Sequence, residues 1–280
     1  MNAEGGDMTP LTRLTRLYDG YVDAFRDEGG ALPQMMQLKR VHTGFVVKNA
    51  ALIADGEGFD ALERETALAA ALLHDTGRYE QLRRYNTFRD SESVDHAVFS
   101  HDIVKEKGWL GEAGVRRPDA VLAAVLYHNR RDLPAGLERV TQVASDTVRD
   151  ADKLDIFRVL EDQVAHTDWR SDSRAFWNLA VSAPPSPVVV KCIEERRPVD
   201  YQSIKSLADF VMIQVGWMIS GLAFPTSHGL CAERRHLEYR REFLHKLTDS
   251  PSVDRVCDLA ARLLARPRRT APVVAMRREK

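Results

Sequence analysis

Cysteine is scarce in this chain: Cys192, Cys231 and Cys257 lie far apart, show no CxxC spacing and make an odd number. A disulfide framework is therefore not expected, and reduced thiols are. A surplus of one charge is missing too, because 40 basic residues against 41 acidic ones leave a formal net charge of −1. No overall field draws in nucleic acid or an anionic membrane. Long apolar runs are absent as well. The nearest, Phe210 to Phe224, contains Gln214 and falls short of the roughly 20 residues that span a bilayer, so a buried helix is expected there. The opening MNAEGGDMTP lacks the basic start and apolar stretch of a secretory signal, and a cytoplasmic protein is expected. There is no GxSxG elbow, Walker P-loop or Rossmann GxGxxG, which removes the usual nucleophile turn and nucleotide-binding loops.

What is present is helical periodicity. Apolar residues recur at helical spacing from Leu11 to Phe25 and from Gln37 to Asp55, and strong helix formers fill Ala61 to Asp75. Thr76-Gly77 breaks that last helix just after His74-Asp75. Gly77 to Asp95 reads as a loop. Helices follow from His96 to Lys107, Pro118 to His128 and Leu137 to Val164. After the Pro-rich SAPPSP, helices are expected near 203–223, 232–247 and 253–265, and Val188 to Cys192 is the one candidate strand. No βαβ alternation appears, so the expected class is all-α. The expected organisation is an N-terminal helix (1–30), a helical metal-binding domain (31–180), a C-terminal helical extension (181–266) and a basic, disordered tail (267–280).

Five of the nine histidines precede Asp152, and four of them fall, with Asp75, in the order His42, His74-Asp75, His96, His128. Taken singly, a histidine on an apolar helix is more often a hydrogen-bonded core residue than a ligand. Six ordered donors are a different matter, and imidazoles with carboxylates suit borderline or hard divalent ions. His101 lies about 500° around the helix from His96, off its face. His166, His228, His236 and His245 match no pattern and are read as ordinary structural residues.

The segments ALLHDTGR, DHAVFSHDIV, AVLYHN and RDADKLD resemble the motifs of the HD superfamily of metal-dependent phosphohydrolases, over roughly Lys39 to Asp155. The resemblance is to its two-metal H…HD…H…H…D members. It implies an HD-domain helical bundle with His42, His74, Asp75, His96, His128 and Asp152 as ligands of two divalent ions (Mn, Fe, Co, Mg or Zn). Asp75 is the preferred bridge. Asp150 and Asp155 are left to cap, pair with a cation or face solvent.

The implied reaction is hydrolysis of a phosphate ester by a hydroxide shared between the metals, with Asp75 and Arg78 as catalytic residues. Arg78, Asn129, Arg130 and Lys153 are the candidates for binding the substrate, a nucleotide or another small phosphorylated compound. Tyr79, Phe88 and Tyr127 are either substrate contacts or core. The same order also resembles the di-iron myo-inositol oxygenase branch, and a non-catalytic, ligand-sensing module is a third reading that the complete ligand set disfavours. Whether the C-terminal helices roof the cleft or form a homodimer surface is open.

Overall fold

The computed structural model describes residues 8–170 and 179–265. The expected disorder of the first residues and of the basic tail lies outside them. Among the described residues there are helices, turns and one isolated backbone bridge, Ala180 to Ser206, and no strand. The chain is all-α.

At the centre lies α3 (Ala61–Leu73), opened by a capping box in which Asp60 accepts from the Glu63 amide and Glu63 reaches back to the Asp60 amide. Every residue from Thr66 to Leu73 is buried, as an apolar helix requires when neighbours pack on all sides. Those neighbours are α1 (Pro10–Asp23), α2 (Gln34–Glu57), α7 (Pro118–Tyr127) and the long α8 (Arg139–His166). On α2 the buried stripe runs through Met36, His42, Thr43, Val46, Asn49, Ala50 and Ile53, so helical spacing alone turns His42 toward α3 and α8. Two further helices, α4 (Gly77–Tyr85) and α5 (His96–Lys107), pack on each other, and α5 also packs on α7. A single turn, α6 (Trp109–Glu112), joins α5 to α1.

The C-terminal helices are α9 (Pro187–Glu194), α10 (Leu207–Gly216), α11 (Pro225–Glu233), α12 (His236–Leu247) and α13 (Ser252–Leu264). In this group α10 packs against α9, α12 and α13, while α11 rests on α2 and α8. Polar links fix the group to α8. Both Asp150 carboxylate oxygens accept from the backbone of Ala223 at 3.0 Å, and one also accepts from Phe224 at 3.0 Å. Arg240, fully buried, donates to Glu161 Oε1 (2.7 Å), Gln214 Oε1 (2.9 Å) and the Phe157 carbonyl (2.9 Å). A buried guanidinium requires this degree of satisfaction.

Three expectations need correction. The first half of the expected 77–95 loop is α4, which burial of Tyr79, Glu80 and Gln81 stabilises despite weak periodicity. Val188 to Cys192 is helical, because Pro187 fits the first turn and Val189, Val190, Cys192 and Ile193 share a buried face, which outweighs β-propensity. The apolar stretch around Trp217 is not one helix: α10 passes into a π-helical turn, Trp217–Gly221, and ends there. Among the described residues no helix is long and apolar enough to cross a membrane.

Candidate metal centre

The six expected donors converge. His42 comes from α2, His74 and Asp75 from the turn between α3 and α4, His96 from the first position of α5, His128 from the end of α7 and Asp152 from the middle of α8. They fall into two groups. His42, His74 and Asp152 each place a donor atom within 4.8 Å of the other two, and Asp75, His96 and His128 do the same. Asp75 faces both. Its Oδ2 lies 3.7 Å from His42 Nε2 and 3.5 Å from His74 Nε2, while Oδ1 lies 3.7 Å from His96 Nε2 and 3.9 Å from His128 Nε2. Donors held about 2.1 Å from one ion stand roughly 3 to 4 Å apart, so this spacing fits two ions with Asp75 between them.

The outer nitrogens are committed elsewhere, which fixes each ring. His42 Nδ1 pairs with Asp155 Oδ2 at 2.6 Å, His96 Nδ1 with Asp90, His74 Nδ1 with the Ala71 carbonyl at 2.8 Å and His128 Nδ1 with the Val125 carbonyl at 2.7 Å. Each Nδ1 therefore donates, leaving Nε2 free to bind a cation. His42 Nε2, His74 Nε2 and Asp75 Oδ1 are buried without a hydrogen-bond partner. Buried polar atoms are rarely left so, and here a divalent ion in each of the two groups would satisfy them.

For His74 and His128 protonation favours the same role. Burial pushes the His74 imidazole down, and pushes His128 down to about 3 with help from His96 and His74. Both therefore stay neutral near pH 7. Burial works upward on Asp75 and Asp152, yet the surrounding cations and imidazoles hold both well below the usual carboxylate range. On His42, burial and Lys39 work downward, but Asp152 and Asp155 outweigh them and raise it.

Compared with known families, residues 41–156 match the HD domain model. This segment is an HD domain. The match places it in a superfamily of metal-dependent hydrolases, and no curated protein and no solved structure matched the chain. The HD segment runs from Val41, just before His42 on α2, to Ile156, just beyond Asp152, so every donor named above lies within it.

Around the HD-domain donors opens a cavity of about 800 Å³, walled on the far side by the C-terminal group through Arg196, Tyr201, Trp217 and Leu222. Arg78 lines it but is already engaged, donating to Gln81 Oε1 (2.8 Å), the Phe88 carbonyl (2.7 Å) and Asp90 Oδ1 (3.0 Å), with Nε 3.4 Å from Asp75 Oδ1. Asn129 and Arg130 stand at the rim, both facing Asp95. Lys153 lines the wall, donating to the Arg149 carbonyl at 3.1 Å. Of the aromatics, Tyr79 belongs to the core, with its hydroxyl 2.9 Å from that of Tyr18. Phe88 stacks beside Lys39 and Arg78. Tyr127 does not line the cavity.

Sequence reasoning missed three participants. Lys39 Nζ sits 2.7 Å from Asp75 Oδ2; it lies three residues before His42, so it shares that helix face, and this was the available signal. Asp155, three residues after Asp152 on α8, pairs with the cation Arg158, one of the roles left open for it, and beyond that holds His42. Asp90 holds His96, and its place in an irregular segment carried no signal. Asp150, by contrast, takes the capping role, at the start of α11.

Proposed function

We propose that this chain is a two-metal phosphohydrolase acting on a small phosphorylated compound. The observation that carries the reading is Asp75, whose two oxygens face two separate donor sets, His42 and His74 with Asp152 on one side and His96 with His128 on the other. A pair of divalent ions supplies an activated water and offsets negative charge on the phosphoryl oxygens. The chain's own residues do the rest. Asp155, Asp90 and two backbone carbonyls hold the imidazoles aimed. Lys39 and Arg78 stand against Asp75 at the cavity wall, where a phosphoryl oxygen entering beside that carboxylate comes within reach of both cations. The cavity volume suits a small molecule, and this chemistry needs no protein nucleophile.

The test is a screen of phosphate monoesters, diesters and nucleotides with Mn-, Co-, Fe- or Mg-loaded protein, run beside Asp75→Ala and His74→Ala. Metal-dependent turnover by the parent and none by helical, soluble variants is the expected result. Full activity in either variant would refute the assignment, as would oxygen consumption with an organic substrate by the iron-loaded protein and no ester hydrolysis.

A further inference from the structure

The cavity wall beyond the metal donors carries cations that the proposed hydrolysis does not use. Arg149 and Lys153 lie one turn apart on α8 and both line the cavity, Lys153 being next to Asp152. Lys153 Nζ makes one hydrogen bond, to the Arg149 carbonyl, and among the described residues no carboxylate comes within ion-pair distance of it. An ammonium has three donors, so two remain open. Arg149 donates to the Arg131 carbonyl at 2.9 Å and faces Asp146 only at 3.7 Å.

Arg196 enters the same cavity from the end of α9. Its backbone is left-handed, with φ of 54°, at a helix end where glycine is the favoured residue. An arginine held there despite the strain points to a use for its side chain. The acids on this wall are partly occupied: Asp150 accepts from backbone amides of 223 and 224, and Asp146 from Gln142 at 2.6 Å.

We infer that Arg149, Lys153 and Arg196 form a second phosphate subsite, so that the preferred substrate carries a phosphate besides the ester that is cleaved. This rests on the hydrolase reading. Arg149 lies three residues from Asp152, roughly 5 Å along the helix axis, so a short spacer joins the two groups. Tyr201, 63% exposed, and Trp217 flank this path.

The experiment is calorimetric binding of propane-1,3-bisphosphonate and propylphosphonate to the Mn-loaded full chain, with Arg196→Gly and Lys153→Gln. Glycine suits the left-handed backbone, so Arg196→Gly keeps the fold, which its melting temperature checks. The parent should prefer the bisphosphonate at least tenfold. Arg196→Gly should cut that preference about threefold and Lys153→Gln about tenfold, the scale of a lost charge-assisted contact at an exposed and at a half-buried side chain. Equal affinities in the parent, or a preference unchanged in both variants, would overturn the subsite. Turnover in the screen of monoesters, diesters and nucleotides is measured in parallel. Turnover without the preference leaves the hydrolase and removes the subsite, whereas the preference without turnover keeps the subsite and removes the hydrolase.

Discussion

Asp155→Asn probes how the site is held together. Asp155 is buried, with one oxygen 2.6 Å from His42 Nδ1, while Arg158 binds both oxygens at 2.6 and 3.0 Å. The amide keeps the shape but replaces a charge-assisted acceptor with a neutral one, roughly halving that bond. His42 then loses basicity and the fixed tautomer that presents Nε2. Losses of this kind cost about 10 to 100-fold in metal affinity, or about 1.4 to 2.8 kcal/mol. The loss should fall on one ion only, because His42 belongs with His74 and Asp152 and not with His96 and His128. Competition titration against a chromogenic chelator should show one weakened site and one within about threefold of the parent. Asp90→Asn, which removes the partner of His96, should weaken the other site. Equal weakening of both sites by either variant, or no weakening by both, would refute the division into two donor sets.

Gly77→Ala should destabilise by about 1 to 3 kcal/mol in urea melts, because an added Cβ would meet Ser100 N at 2.7 Å where α4 presses on α5; an unchanged midpoint would contradict that packing. Arg240→Met should cost about 3 to 5 kcal/mol by the same assay, since it leaves Glu161 and Gln214 short of their buried partner. In the metal-free protein His128 is pushed from 6.5 to about 3, so the unfolded chain takes up the proton first. The stability contributed by the neutral ring is present above about pH 6.5 and drains away as the pH falls toward 3, by up to about 1.4 kcal/mol per unit. His128→Gln should flatten that slope in pH-dependent urea melts, and an identical slope would remove His128 as its source.

The convergence of the donors was legible because helices make geometry periodic. His42 falls on the apolar stripe of α2, and His74 and His128 end helices whose stops are written in Thr76-Gly77 and the NRRDLP segment. The supports of the rings were harder to see. Two are backbone carbonyls, which every sequence has, and Asp90 lies in a segment with no period. Asp155 was visible, but one sequence does not say whether an acid three residues from a ligand turns inward. The helices α4 and α9 were obscured for a related reason: both are short, and tertiary burial, not local propensity, holds them. The cavity roof is a matter of how distant helices pack, which local pattern does not encode.

The most direct test of the account is anomalous diffraction at the manganese edge from crystals of the Mn-loaded full chain. Two peaks about 3.5 to 4 Å apart are expected, one among His42, His74 and Asp152, the other between His96 and His128, with Asp75 touching both. A lone peak at Asp90, Asp95 and His96, or no peak within reach of Asp75, would contradict it.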